Sequence, residues 1–211
     1  MHRMLSIGID LISAILVLLP IISVSLFLFQ PRSLHRTALS ALFVLYLCAV
    51  FSVVGLPSIW TMTFDPSIHW LPLVDGLHDP LHYLKNSLLN ILLFVPLGIF
   101  LPVLWGGCRS AKTVLAWGFG LSLAIECLQL FTFRLTDVDD LLMNSLGTVL
   151  GYCLAKVLLP PAKPNAAPIL PLRQPLALLS LAFLLMFTVQ PLLSSAIWDV
   201  LLDSPVWESI R

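Results

Sequence analysis

Read along the chain, apolar residues collect into six blocks separated by charge, proline or short polar runs: Leu11–Phe29, Ala38–Leu56, Ser87–Trp105, Thr113–Phe133, Val138–Leu159 and Leu176–Ile197. A helix needs about 20 mostly apolar residues to cross a hydrocarbon layer of about 30 Å, and each block is close to that length. The pattern predicts an all-α, polytopic membrane protein with about six transmembrane helices. Two helices fall in residues 1–58, a loop in 59–86, a three-helix core in 87–159, a proline-rich linker in 160–175, and a last helix with its tail in 176–211. The first block is long, contains Pro20 and lacks a small-residue cleavage site, so it reads as a span rather than a signal peptide.

Composition agrees with that solvent. Of 211 residues, 59% are hydrophobic and only 10% charged, against roughly 25% charged in a soluble domain. The net charge of zero hides an asymmetry between alternate loops. Seven cations (Arg32, Arg36, Arg109, Lys112, Lys156, Lys163, Arg173) face four on the other side (Arg3, Lys85, Arg134, Arg211). Cytoplasmic loops carry the lysine and arginine excess. The first, third and fifth loops are therefore expected in the cytoplasm and both termini outside, in a bacterial cytoplasmic (inner) membrane. Trp60, Trp105 and Trp198 stand at expected helix ends, where interfacial tryptophans sit. Cys48, Cys127 and Cys153 lie within spans and Cys108 in a loop, which makes no disulfide framework. No basic stripe with interleaved aromatics points to nucleic acid. The expected partners are membrane lipids or amphiphiles, with a membrane-protein partner or a second copy of the chain left open.

Against this apolar background the polar positions stand out. Glu126 lies seven residues before the expected end of its span, about 10 Å deep at 1.5 Å per residue, and an ionisable group at such depth marks a functional site by default. Ser122, Glu126 and Gln129 share its helix face. The next span opens with Asp137, Asp139 and Asp140 and continues on one face through Asn144, Gly147 and Gly151, while Asn86 and Asn90 open the third span. Three helices thus bring polar groups to one end. A structural reading accounts for much of this. Asp137 or Thr136 caps a helix, Asp139 and Asp140 favour its N-terminus with Arg134 paired to one of them, and Asn144 and Gln129 bond between helices. Gly147 and Gly151 then form a small-residue contact. The functional reading makes Asn90, Glu126, Gln129, Arg134, Asp137, Asp139, Asp140 and Asn144 a ligand site.

Taken together, Asn90-x-x-x-Phe94-x-Pro96-x-Gly98, Glu126-x-x-Gln129, Arg134-x-x-Asp137-x-Asp139-Asp140 and Asn144-x-x-Gly147-x-x-x-Gly151 resemble the VanZ-like family. The family is named for a protein that raises resistance to the glycopeptide teicoplanin, and is otherwise a small multi-helix membrane domain. The first block, the linker and the last block are additions to that pattern. The resemblance implies an envelope-associated accessory protein. Its polar end, on the outer side, would recognise a lipid or lipidated amphiphile. Arg134 would then hold an anion, and Asp137, Asp139 and Asp140 would orient Arg134 or hold a divalent cation; no other cofactor is expected.

The rival reading is a membrane enzyme acting on lipid phosphates, with Glu126 or an aspartate as base and a metal activating water. The chain has no Asp-Gly-x-x-Ala-Arg run and no Ser-Gly-His series of the kind such enzymes carry. A purely structural scaffold is the third reading. In the second loop, His69, His78 and His82 stand among Asp65, Asp75 and Asp79. Asp79-Pro80, however, reads as an N-cap and first helical residue, so His78 and His82 fall on either side of a helix start and no metal site is expected. Trp60, Met62, Phe64, Ile68 and Trp70 suggest a segment lying on the membrane surface, over the polar cluster.

Overall fold

The computed structural model describes residues 7–18, 34–60, 62–64, 68–69, 77, 79–132, 136–158 and 173–202. The helices are α1 (Ile7–Leu18), α2 (Leu34–Val54), α3 (Pro80–Leu104), α4 (Ala111–Gln129), α5 (Val138–Leu158), α6 (Arg173–Leu184) and α7 (Gln190–Leu202). A π turn, Leu185–Val189, runs α6 into α7 without a break. Two short strands, β1 (Ile68–His69) and β2 (Thr136–Asp137), pair in parallel.

Four of these helical stretches are long and apolar enough to cross a membrane: α2, α3, α4, and α6 with its continuation. The chain is an all-α membrane protein. For α1 only twelve residues are described, and the rest of its expected span lies outside the described residues. The α5 helix is 21 residues long, with Asp139 and Asp140 in its first turn and Lys156 in its last.

The boundaries differ from the sequence expectation for identifiable reasons. α3 starts seven residues earlier than its apolar block, at the Asp79-Pro80 signal, and the Asp79 carboxylate accepts the His82 N–H at 3.1 Å. α4 starts at an N-cap, Ser110, whose hydroxyl accepts the Thr113 N–H at 3.0 Å. It stops four residues before Phe133, because Phe131 and Thr132 turn back onto the Leu128 and Gln129 carbonyls. Trp105 stands at the end of α3, as expected, and its side chain is buried there.

Two compact units divide the chain. In the unit of Met1–Met62 with Leu178–Arg211, Phe51 of α2 meets Phe183 edge-on at 6.4 Å. The Ile59 N–H bonds to the Phe187 carbonyl in the π turn. Asp10 of α1 accepts hydrogen bonds from Gln190 (2.5 Å) and Ser194 (3.0 Å) of α7.

The unit Thr63–Ala177 holds the α3–α4–α5 core, in which α5 packs most extensively on α3 and then on α4. Backbone contact explains the intimacy of α3 and α5. A Cβ on Gly98 would collide with the Thr148 carbonyl, one on Gly147 with that of Ile91, and one on Gly151 with that of Val95. The opposite face of α5 exposes Leu142, Leu146, Leu150 and Leu154, every fourth residue, which is what a helix turned toward lipid presents.

Candidate functional site

The α4–α5 connection builds the site. Glu126 does not lie 10 Å deep, because α4 ends at Gln129 and places it in the last turn. It is nonetheless 95% buried, covered by the chain that follows rather than by a long helix. Its carboxylate Oε2 accepts the Asp137 N–H at 3.0 Å, and its own carbonyl accepts the Thr136 hydroxyl at 3.2 Å. Asp137 in turn accepts the Asp139 N–H at 2.9 Å, the geometry of an N-cap at the head of α5. A buried carboxylate thus secures the backbone entering α5. Hydrogen bonds to a charged group contribute about 1.5–3 kcal/mol.

From that capped end a file of polar side chains runs down α5 at every fourth residue: Asp140, Asn144, Thr148, Tyr152 and Lys156. Asp140 accepts a short hydrogen bond from the Asn90 amide of α3. One turn above Asn90, Asn86 contacts the His82 ring at 3.3 Å, so α3 contributes its own polar stripe. Asn144, 97% buried, donates to the Ser122 hydroxyl of α4 at 2.9 Å, while its Oδ1 meets no hydrogen-bond partner. Thr148 is fully buried and donates to the Asn144 carbonyl at 3.0 Å. Gly118 of α4 presses on it so closely that a Cβ there would overlap the threonine side chain. Beyond this seal, the Tyr152 hydroxyl bonds to the Arg109 carbonyl at 2.7 Å and Lys156 lies over the tyrosine ring.

Polar residues therefore do continue toward the far end of the helix. The Gly118–Thr148 contact nevertheless brings α4 and α5 together between the two halves, so the polar groups on the Glu126 side form a cluster of their own.

Of the residues expected in the site, Asn90, Glu126, Asp137, Asp139, Asp140 and Asn144 gather at this end of the core through the bonds just described. Gln129 is buried at the last residue of α4, and Asp139 is buried at the head of α5. Arg134 lies outside the described residues. Gly147 and Gly151 sit in the α3–α5 contact. Among the described residues no three His, Cys, Asp or Glu side chains group as a metal site would require. All four cysteines are free.

The pairing of β1 with β2 was not foreseen. Ile68 aligns with Thr136 and His69 with Asp137. Ahead of them the Thr63 N–H bonds to the Phe131 carbonyl at 3.1 Å, and the Phe64 and Phe131 rings meet at 5.6 Å. The second loop is thus attached by its backbone to the chain that covers Glu126. Two-residue strands carry no hydrophobic alternation, so only the aromatic content of the loop hinted at an attachment. Asp65, Trp70, Asp75 and His78 lie outside the described residues. Asp10 was also passed over, as an acid near a terminus; the signal was Gln190 with Ser194 four residues on, two polar groups on one face of an apolar block.

The VanZ/LLP1 family model matches residues 43–159, more than half of the chain. The chain belongs to the VanZ/LLP1 family. The VanZ/LLP1 match begins inside α2 and ends just past α5, so it takes in every residue of the polar cluster and both strands, and leaves α1, the linker and α6–α7 outside. No curated protein and no solved structure matches the chain.

Proposed function

We propose that this VanZ-family protein is a six-span accessory protein of the bacterial cytoplasmic membrane whose polar cluster at the α3–α4–α5 end binds the headgroup of a lipid or lipidated amphiphile. The observation that carries the reading is the polar cluster where α3, α4 and α5 meet, with a buried acceptor, Asn144 Oδ1, left without a hydrogen-bond partner. Buried polar atoms are nearly always satisfied, and an exception calls for a missing partner. A conduit would need space beside Thr148, where α4 and α5 are in contact instead.

The fifth span of this reading is α5. At about 1.5 Å per residue its 21 residues reach roughly 31 Å, its leucine face suits lipid, and its polar face is used internally. The lysine and arginine excess in alternate loops supports an orientation with both termini, and with them the polar cluster, on the extracytoplasmic side. There the site meets envelope lipids and glycopeptides, which suits a role in teicoplanin resistance. Arg134 would contribute an anion contact at the rim. The aspartates serve as helix-capping and acceptor groups rather than as a cation cage.

Expression in a teicoplanin-sensitive Gram-positive host tests this. Wild-type protein raises the inhibitory concentration, and Asp140→Asn and Glu126→Gln, at equal membrane levels, lose the protection. Equal protection by all three proteins would remove the carboxylates from the function. No protection by the wild type would detach the resistance phenotype from this chain.

A further inference from the structure

The end of the α3–α4–α5 core away from Glu126 is cationic, and the chain there supplies nothing to balance it. Arg109 follows the short 3-10 turn Gly106–Cys108, Lys112 stands in the first turn of α4, and Lys156 in the last turn of α5. All three are exposed. No aspartate or glutamate occurs between Asp79 and Glu126, or between Asp140 and Asp199, and none of the three cations has an ion pair among the described residues. Two contacts make a group of them. The Tyr152 hydroxyl donates to the Arg109 carbonyl at 2.7 Å, which ties the α3–α4 connection to the end of α5, and the Lys156 ammonium lies over the Tyr152 ring, 5.3 Å from its centroid. One buried tyrosine thus holds the chain at Arg109 on its hydroxyl and Lys156 on its face.

Within one turn of these charges α4 becomes apolar and open. Lys112, Leu115 and Phe119 share a face at spacings of three and four, and Leu115 and Phe119 are 40% and 44% exposed. A water-soluble anion would need only the cations. Cations that give way to an open apolar face suit a molecule anionic at one end and hydrocarbon at the other. We propose that Arg109, Lys112 and Lys156 form a second site, for an anionic phospholipid, gripping its phosphate while its acyl chains lie along Leu115 and Phe119. A guanidinium can take two phosphate oxygens at once, and the two ammonium groups act as point charges beside it. In the orientation proposed above this end faces the cytoplasmic leaflet, whose anionic lipids attract basic segments. Three cations exceed the charge of one phosphate, so a lipid with two phosphates binds more tightly than a lipid with one. The site is independent of whatever occupies the Glu126 end.

The test titrates the full-length protein, in a neutral detergent, with cardiolipin, phosphatidylglycerol and phosphatidylcholine of matched chains, and counts bound lipid by native mass spectrometry. Expected is one cardiolipin retained at least about tenfold more tightly than phosphatidylcholine, a difference of about 1.4 kcal/mol, with phosphatidylglycerol between them. Arg109→Gln, Lys112→Gln and Lys156→Gln each lower that preference about fivefold. Lys85→Gln removes one exposed cation at the opposite end of α3 and leaves it unchanged. Tyr152→Phe keeps every charge but releases the Arg109 carbonyl, and lowers the preference with the thermal midpoint followed in parallel. Equal retention of the three lipids would overturn the site. A loss in Lys85→Gln as large as in Lys112→Gln would overturn it in favour of diffuse charge, and full preference in Tyr152→Phe would overturn the part given to the tyrosine. Glycerol 3-phosphate displacing cardiolipin at equal concentration would overturn the lipid in favour of a free phosphate.

Discussion

Asn144 separates stability from recognition more cleanly than any other residue of the core. Its amide makes one hydrogen bond, to Ser122, and leaves its oxygen buried and unmet. Interhelical hydrogen bonds in membranes average about 0.6 kcal/mol and reach about 1.7, and the unmet oxygen offsets part of that. Asn144→Leu is therefore expected to cost less than about 1 kcal/mol in stability, read as a small change in the thermal midpoint in detergent, while weakening ligand binding. Glu126 behaves in the opposite way. Glu126→Leu strips the Asp137 N–H of its acceptor and is expected to cost about 1.5–3 kcal/mol, whereas Glu126→Gln, which keeps an acceptor oxygen, costs markedly less. At the other end, burial pushes the Cys108 thiol up from its ordinary value. Cys108 should alkylate slowly at neutral pH in the folded protein and rapidly once the protein is unfolded.

Between elements, the α3–α5 contact is set by glycine. Gly147→Leu or Gly151→Leu must part the two backbones, at a cost of about 1–3 kcal/mol or more. Gly120→Ala, on α4 with nothing near its would-be Cβ, should be neutral or stabilise by about 0.5–1 kcal/mol. A circular-dichroism melt of the three variants in one detergent checks the ordering. Much of this architecture was legible from the chain. The apolar blocks located the helices, Asp79-Pro80 located the start of α3, and four-residue spacing put Asp140, Asn144, Gly147 and Gly151 on one side of α5. What was not legible depends on chain reversal. Nothing in the run from Leu128 to Phe133 says that the helix stops at Gln129, because apolar residues suit a membrane helix and an aromatic turn equally well. The depth of Glu126 was overestimated for that reason. The β1–β2 pairing joins segments far apart in sequence through backbone atoms, which leave no residue signature. Asp10 found its partners, Gln190 and Ser194, across a similarly long separation.

For the whole molecule, the proposed orientation makes a direct prediction. In a variant with its four native cysteines replaced, a membrane-impermeant maleimide added to intact cells should label Met62→Cys, on the exposed stretch before β1, and should label Ser110→Cys, at the head of α4, only after permeabilisation. The reverse pattern would place the polar cluster on the cytoplasmic side and remove its access to envelope glycopeptides. The bond between Asn90 and Asp140 also bears on how the protein is made. The two residues are 50 positions apart, and at about 5–20 residues per second the ribosome delivers the aspartate roughly 3–10 s after the asparagine. For that interval α3 has Gly98 and the Asn90 amide but no α5 to receive them, so its packing is incomplete until the aspartates arrive.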